Sequence, residues 1–354
     1  MMTTRRLPII AVMLTLIILL LMIAAKPTSQ AIQPGVNSSE LAVGTIGYRG
    51  VLSFTHGVAS GDVSATSTRL WTRVNQTATL TLEVSLEPDF SSLVFTYTTP
   101  VSSTTDFTAM ITAQPLQAGA THYYRWRGPA IASSVGKFNT APMSNIAADL
   151  RFAFSGDSDG TLVGGQTFYN NFEALDSARL NDPDFFIYLG DIVYTDSLLR
   201  PSPATTLPEY RETYKENRLV QALPDLLAST STFAIWDDHE VMNDFDGQTV
   251  NQTQYANGRQ ALLEYMPIDD ASLPSDPSCA GDPLYRQFSW GSEADIIILD
   301  ERSCRSEDVE SICQIFPGIP DPVPTLPPEI RQEFGDLGLP ANPPTGCLDA
   351  VNDP

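Results

Sequence analysis

An uncharged apolar run near the start of the chain predicts its first element. Arg5 and Arg6 precede this run, which extends over residues 7–25. A positive start followed by a long apolar stretch is typical of an export signal, and Ser29-Gln30-Ala31 is one candidate cleavage site. The run is also long enough for a retained membrane anchor, so both alternatives stay open for residues 1–31. The positive flank predicts in either case that the remaining chain lies outside the cytoplasm.

The next part of the chain has the pattern of a β-rich segment. Residues 32–52 are small and polar, which predicts a linker. Apolar and polar residues then alternate, most clearly over residues 79–84 and 121–127, as in strands with one buried face. Because residues 53–141 show short strands and no clear helix, they predict a β-sandwich of the immunoglobulin or fibronectin III type.

After residue 150 the pattern changes to short apolar strands separated by helices. Strands are predicted at 151–155, 185–189, 233–236 and 296–299, each apolar enough to be buried on both faces. Apolar residues at helical spacing predict helices at 166–180, 210–223 and 255–265. The alternation predicts an α/β domain over residues 150–354, with a proline-rich tail from residue 315.

The charge of the chain narrows its possible functions. Lys and Arg number 20 against 42 Asp and Glu, for a formal net charge of −22. Because a chain with this negative charge repels the phosphate backbone of nucleic acids, nucleic-acid binding through a basic groove is not expected. An anionic substrate would need bound cations to overcome the same repulsion. With three histidines in the whole sequence, few metal sites can be built from imidazole.

The four cysteines predict disulfides. They all lie at or after Cys279, and they match no paired zinc-binding spacing. In an oxidising compartment such cysteines form disulfides. Cys304 and Cys313 are close in sequence and are one predicted pair, which leaves Cys279 with Cys347. The sequence alone does not determine this connectivity.

Three of the predicted strands end in acidic clusters. These clusters are Gly156-Asp157-Ser158-Asp159, Gly190-Asp191 with Tyr194, and Asp237-Asp238-His239-Glu240. Ligands of α/β sheets bind beyond the carboxyl ends of the strands. A single Gly-Asp pair there is usually a turn, but converging carboxylates repel one another unless cations lie between them. Oxygen ligands with one phenol and few imidazoles favour Fe(III), Mn, Mg or Ca over a thiolate zinc site.

These motifs resemble those of a known family. Over residues 54–353 the chain is similar to the PhoD-type alkaline phosphatases and phosphodiesterases, in the calcineurin-like metallophosphoesterase superfamily. The resemblance rests on residues 57–62 (GVASGD), 70–73 (LWTR), 189–191 (LGD) with Tyr194, 236–240 (WDDHE) and 300–305 (DERSCR). The Trp-Asp-Asp-His-Glu string is the most specific of these.

The resemblance implies a role for each matching residue. Asp191 would bridge two metals, and Tyr194 would bind the first as a phenolate, which favours Fe(III). Asp238 would bind the second metal and form a catalytic pair with His239, which would contact the phosphate or protonate the leaving oxygen. The other implied residues are Asp157 and Asp159 as ligands of the first metal and Arg302 as a substrate contact. The implied cofactor is Fe3+ with Ca2+, Mn2+ or Zn2+.

The implied function is exported, metal-dependent hydrolysis of a phosphate ester by a monomer. The substrate would be a small molecule or a polymer, and the sequence does not separate monoesters, diesters, teichoic-acid-like polymers and lipids. Alternatives are a purple-acid-phosphatase-like hydrolase and a non-catalytic secreted binding protein with a degenerate metal site. No histidine follows His239, whereas the superfamily takes further histidines from later loops. We therefore expect a C-terminally truncated relative that hydrolyses esters slowly or not at all.

Overall fold

The computed structural model describes residues 50–276, 279 and 281–305. The predicted signal or anchor, most of the predicted linker and the tail with Cys313 and Cys347 lie outside this part of the chain. Within the described residues, no helix is both long enough and apolar enough to cross a membrane.

The N-terminal part of the described chain consists of strands, as the alternating pattern predicts. Their bounds are β1 Phe54–Gly61, β2 Thr68–Val74, β3 Ala78–Ser85, β4 Leu93–Val101, β5 Thr108–Ala113, β6 Thr121–Gly128, β7 Ile131–Ala132 and β8 Gly136–Asn139. The strands predicted at 79–84 and 121–127 are β3 and β6. In β3 the alternate residues Leu80, Leu82 and Val84 are fully buried, which explains the period of two. One sheet has the order β4-β3-β6-β7, and β8 also pairs with β6.

The second part alternates strands and helices, which confirms the predicted α/β fold. The strands are β9 Phe152–Ser155, β10 Leu162–Val163, β11 Gln166–Thr167, β12 Phe185–Tyr188, β13 Ser231–Ala234, β14 Arg286–Trp290 and β15 Ala294–Ile298. The helices are α1 Glu173–Leu180, α2 Leu207–Asn217, α3 Ala222–Ser229 and α4 Gln252–Tyr265.

The helix predicted at 255–265 is α4 and begins three residues earlier, whereas the other two predicted helices differ more from the structure. The helix predicted at 166–180 begins only at Glu173, because residues 162–167 form the β10–β11 hairpin and Phe172 has a left-handed backbone with φ 60°. The helix predicted at 210–223 is two helices, α2 and α3. Pro224 explains the break, because proline lacks the amide hydrogen and its ring clashes with the carbonyl one turn earlier.

The largest sheet contains strands from both parts of the chain. Its order is β5-β2-β1-β13-β12-β9, and β9, β12 and β13 run parallel. Strand β1 pairs in parallel with β13, with Ser60 opposite Ser231. The predicted boundary at residues 141–150 therefore does not separate two independent sheets.

A buried ion pair also joins the two parts. Arg286 Nε lies 2.9 Å from Asp62 Oδ2, and Arg286 Nη2 lies 3.0 Å from Asp62 Oδ1. The two side chains are 3% and 0% exposed. Such a two-pronged pair fixes the position of β14 against the end of β1.

The prediction that the strands are buried on both faces is wrong for β9. This strand is the edge of the six-stranded sheet, and its Phe152 and Phe154 are 48% and 62% exposed. The strand predicted at 296–299 corresponds to β15, which pairs antiparallel with β14 in a separate two-stranded sheet. Its Ile297 is 64% exposed, so this strand is not buried on both faces either. Apolar content predicted a strand here, but it does not determine which partner the strand takes.

The predicted pairing of Cys304 with Cys313 is wrong as well. Cys304 forms a disulfide with Cys279, and the Cα atoms of the two residues are 4.3 Å apart. Between these two cysteines the chain folds back through the β14–β15 hairpin. Closeness in sequence therefore did not identify the partner of Cys304. The same bond excludes the alternative pair Cys279 with Cys347.

Candidate metal centre

Two of the predicted ligands lie at the ends of neighbouring parallel strands. Asp157 follows β9 and Asp191 follows β12, each directly after a glycine. Both have a left-handed backbone, with φ 56° at Asp157 and φ 50° at Asp191. The amide of Ser158 donates to the carbonyl of Asp191 at 2.8 Å, so the two loops run side by side. Strained backbone of this kind in residues other than glycine is concentrated at functional sites.

Tyr194 brings these two carboxylates together. Its hydroxyl lies 3.1 Å from Asp157 Oδ1 and 3.0 Å from Asp191 Oδ2. Burial and the negative charges of Asp191 and Asp157 raise the pKa of the Tyr194 hydroxyl. The phenol has one proton for two carboxylates, so it can donate to only one of them at a time.

A second group forms where the loop after β13 meets Asp191. Asp191, Asp238 and His239 offer potential ligand atoms that all lie within 4.8 Å of one another. Burial raises the pKa of Asp191 to about 6; the charge of His239 opposes this shift and that of Asp238 adds to it. These residues fit a cation, because a positive ion would offset the repulsion between two buried carboxylates.

His239 is held by a residue that the sequence analysis missed. Its Nδ1 lies 2.6 Å from Asp196 Oδ1, and its Nε2 lies 4.0 Å from Asp238 Oδ1. The ring stacks on Tyr194 with a centroid distance of 4.1 Å. Burial alone would lower the pKa of His239, but the hydrogen bond to Asp196 and the surrounding carboxylates outweigh it and raise the pKa to about 9. The other Asp196 oxygen accepts from the amide of Asn243 at 2.6 Å.

Asp159 and Arg302 lie next to this group with other partners. Asp159 accepts from the amide of Thr161 at 2.9 Å and from Ser197 Oγ in the loop after β12 at 2.7 Å, so each of its oxygens already accepts a hydrogen bond. Arg302 Nε lies 2.7 Å from Asp237 Oδ1, and its Nη2 lies 3.4 Å from Asp238 Oδ2. Arg302 thus offsets the charge of Asp238.

Glu240 and Asn217 anchor the loops that carry the ligands, and the sequence analysis gave neither a role. Glu240 is fully buried and accepts from the amides of Ile192 at 2.6 Å and Asp237 at 3.1 Å. Burial and the charge of Asp191 raise its pKa to about 8. Asn217 accepts from the amide of Gly160 at 2.7 Å. Glu240 belongs to the most specific sequence motif, so its importance could have been predicted. Asn217 is the last residue of α2 and lies in none of the motifs, so the sequence did not indicate its role.

A cavity of about 630 Å³ opens beside the centre. It is lined by residues of the three strand-end loops and of the segment before α1: Asp157, Asp159, Tyr169, Asn170, Tyr194, Asp196, Ser197, Leu198, His239 and Asn243. Its volume is in the range of small-molecule sites.

The fold and the acidic cluster at the strand ends define a protein of the metallophosphoesterase-like α/β class. The family model "PhoD-like phosphatase" matches residues 160–325, and "PhoD-like phosphatase, N-terminal domain" matches residues 45–142. The chain belongs to the PhoD-like phosphatase family, as its sequence motifs predicted.

Two relatives give the extent of the similarity. The chain is 28% identical over 291 residues to alkaline phosphatase D of Bacillus subtilis (strain 168). The aligned region covers 73% of this chain and 48% of that protein. A solved structure of PhoD superposes with a TM-score of 0.64 at 26% identity, covering 72% of this chain and 53% of that one. The chain therefore spans about half the length of these relatives.

Proposed function

We propose that this protein is an exported, metal-dependent phosphate-ester hydrolase. The observation that carries the proposal is the convergence of Asp157, Asp191, Tyr194, Asp238 and His239 at the carboxyl ends of adjacent strands. Membership of the PhoD-like phosphatase family supports the same reaction class. The positive flank and apolar run within residues 1–31 support export, with a retained anchor as the alternative.

The proposed centre holds two cations. Asp157, Asp191 and Tyr194 would hold the first, for which we propose Fe3+ because a phenolate ligand favours it. Asp191 and Asp238 would hold the second, for which Ca2+, Mn2+ or Zn2+ is proposed. When bound, such a centre supplies positive charge for the phosphate and an acidified water as nucleophile. Asp159 is a weaker candidate ligand, since both of its oxygens already accept hydrogen bonds.

The residues around the centre have distinct proposed roles. The hydrogen bond to Asp196 fixes the orientation of the His239 ring and leaves Nε2 on the Asp238 side. From there His239 would hold the proton that the leaving oxygen needs. Because Arg302 pairs with Asp237 and Asp238, we assign it to positioning Asp238 and propose contact with the substrate as its second role.

The N-terminal strands form a supporting domain in this proposal. We assign residues 53–141 to a sandwich of the immunoglobulin or fibronectin III type and residues 150–354 to the metal-binding domain. The protein is proposed to act as a monomer. The continuous sheet formed through β1 and β13 supports a single rigid scaffold for the centre.

A direct assay tests the hydrolase proposal. We expect slow hydrolysis of p-nitrophenyl phosphate or bis-p-nitrophenyl phosphate by the full chain with added Ca2+, Mn2+ or Zn2+, and a loss of about 100-fold or more in Asp191→Asn. Asp270→Asn, a change in an exposed surface acid, is the control. Metal binding without any turnover would instead favour the non-catalytic binding protein. Rates of about 1 per second or more would contradict the expectation of slow hydrolysis.

Metal content is tested by spectroscopy together with elemental analysis. We expect at least one tightly held cation per chain after expression in metal-rich medium. If that cation is Fe3+, the Tyr194 phenolate gives a visible charge-transfer absorption, which Tyr194→Phe abolishes. Tyr169→Phe alters another tyrosine of the same cavity and should leave the absorption in place. A chain free of metal in elemental analysis would contradict the proposed centre.

The role of Asp196 is tested through the leaving group. In Asp196→Asn, we expect kcat to fall at least tenfold further for an alkyl phosphate than for p-nitrophenyl phosphate, because only the alkoxide needs a proton on departure. Asp244→Asn, in the loop that Asp196 binds through Asn243, is the matched control. An equal loss for both esters would mean that Asp196 serves only to hold the loop.

A further inference from the structure

A second cavity lies at the end of the large sheet that is opposite the metal centre. Its volume is about 700 Å³, and it is lined by His56 of β1 and Asp225 of α3, among others. Ser60 of β1 pairs with Ser231, the first residue of β13, so His56 lies beyond the amino end of β13. Asp238 follows the carboxyl end of the same strand. The two cavities are therefore separate sites.

Positive charge predominates in the lining of this cavity, in contrast to the net charge of −22 for the whole chain. Three of the lining residues are cations, namely Lys137, Arg179 and Arg218. Asp225 is the one carboxylate among the described residues of the lining. The partners of Lys137 and Arg179 are partly exposed carboxylates outside the lining, Asp182 and Asp176, each at 2.6 Å. Because water screens exposed pairs, these two cations keep part of their effect in the cavity.

Arg218 is the buried cation of the three, and its charge has no carboxylate partner. The residue is 3% exposed, its guanidinium lies 3.9 Å from the centre of the Trp71 ring, and its Nη2 donates to the carbonyl of Tyr265. Within the part of the chain that the structure describes, its Nη1 has no hydrogen-bond partner and no ion pair involves Arg218. Burial lowers the pKa of Arg218 to about 10. A buried cation without a counter-ion is unfavourable, so this position favours an anion.

His56 adds a neutral hydrogen-bond donor to the same cavity. Its Nδ1 lies 3.3 Å from Arg73 Nη1. Because an arginine can only donate, Nδ1 is the acceptor and the ring proton is on Nε2. Burial lowers the pKa of His56 to about 3, and three neighbouring cations add to the shift, Arg73, Arg218 and Lys215. The charge of Asp106 opposes the shift without reversing it, so positive charge predominates around a neutral ring.

We infer that this cavity is an anion-binding site whose ligand is a doubly charged oxyanion of the phosphate type. Its donors come from separate segments, with His56 on β1, Lys137 on β8, Arg179 on α1 and Arg218 directly after α2. Guanidinium and ammonium groups that approach from several segments suit the oxygens of a tetrahedral phosphate. Free phosphate and the phosphate group of a larger molecule share this chemistry. The inference goes beyond the proposed hydrolysis and does not depend on it.

Nitrogen NMR of the histidine rings tests the inference, because each of the three histidines reports a different place. His56 lines the proposed site, His239 lies at the metal centre, and His122 is fully buried and lines neither cavity. In the full chain labelled with 15N-histidine, we expect inorganic phosphate to move the His56 signals to saturation below about 50 mM. The His122 signals should stay in place. Sodium chloride at the same ionic strength should not reproduce the shift, which separates binding from charge screening.

Two substitutions locate the ligand within the cavity. Arg179→Gln and Lys137→Gln each remove one positive charge from the lining and should raise the phosphate concentration at the midpoint about threefold or more. Both side chains are partly exposed, at 30% and 35%, so both variants should fold. Arg127→Gln is the matched control, since it changes a 54% exposed arginine that does not line the cavity. It should leave the midpoint unchanged.

A second probe separates the two sources of the oxyanion. Phenylphosphonate carries the same charged group on a carbon atom, and its phosphorus–carbon bond is not a substrate for ester hydrolysis. If it moves the His56 signals at the same concentration as phosphate, the site accepts the phosphate group of a larger molecule. If it binds at least threefold more weakly, the site selects free phosphate. Either result supports the oxyanion site.

The outcomes separate this inference from the proposed hydrolase function. A shift of the His239 signals alone would mean that phosphate binds only at the metal centre, which overturns the inference and supports the function. No saturating shift of His56 by about 50 mM phosphate, or the same shift with chloride, would also overturn it. So would a midpoint that neither Arg179→Gln nor Lys137→Gln changes. A saturating shift that both variants weaken, in a chain that hydrolyses no ester, would support the anion site and contradict the hydrolase.

Discussion

Gly190→Ala is expected to lower the free energy of unfolding by about 3 kcal/mol or more and to abolish metal binding. Gly190 has φ +105°, a conformation that residues with a side chain rarely adopt. An added Cβ would also lie only 2.7 Å from the Cβ of Asp237 and in closer contact with the Asp237 amide. Since Gly190 precedes Asp191 and Asp237 precedes Asp238, relief of this clash would separate the proposed ligands.

A second glycine provides the matched control for this prediction. Gly164 also has a positive φ, +62°, but no atom would lie within 4 Å of an added Cβ. Gly164→Ala should therefore cost only about 1 kcal/mol, the strain of the left-handed backbone alone. Urea unfolding of both variants, with metal content measured on the folded proteins, gives the comparison. Equal losses of stability would mean that the packing around Gly190 is looser than the structure indicates.

The second large effect is expected at the buried ion pair between Asp62 and Arg286. Asp62→Asn should lower the free energy of unfolding by about 3 kcal/mol or more, because it leaves the Arg286 charge buried without a carboxylate. Asparagine is the suitable replacement, since Asp62 has φ 44° and asparagine tolerates this left-handed conformation. The effect of the variant is therefore mainly electrostatic.

A partly exposed pair between Arg69 of β2 and Asp270 serves as the control. Arg69 Nη2 lies 2.7 Å from Asp270 Oδ1, but the Asp270 side chain is 57% exposed. Asp270→Asn should cost at most about 1 kcal/mol, because water screens such pairs. Thermal and urea unfolding of both variants measure the difference. If Asp62→Asn lowers the free energy of unfolding no more than Asp270→Asn does, the packing of β14 against the end of β1 does not depend on this ion pair.

The regular elements were predictable where their patterns are local. Alternation over 79–84 and 121–127 predicted β3 and β6, because one face of each strand is buried along its length. Dense apolar residues at 185–189 likewise predicted β12. The prediction was less accurate at 166–180, since helical spacing was present but Phe172 takes a left-handed conformation and the hairpin occupies the first residues.

The chemistry of the centre could also be inferred in part from the sequence. Gly-Asp pairs after apolar strands, followed by Tyr194, predicted that carboxylates and a phenol would meet, and the distances of 3.0 and 3.1 Å agree with that. Asp196 was missed, because its importance lies in a contact with His239, 43 residues away in sequence. The motif around His239 says nothing about that partner.

The pattern of the chain was enough to predict β3, β6 and β12, its acidic character and the residue types of the centre, because each depends on neighbours in sequence. Folding in three dimensions determined the pairing of β1 with β13, the exposure of β9, the disulfide of Cys304 with Cys279 and the ion pair of Asp62 with Arg286. Each of these joins or exposes residues according to which distant segment packs beside them. Local periodicity does not predict which distant segments pack together, since the free energy that favours one arrangement comes from burial and pairing across the whole core.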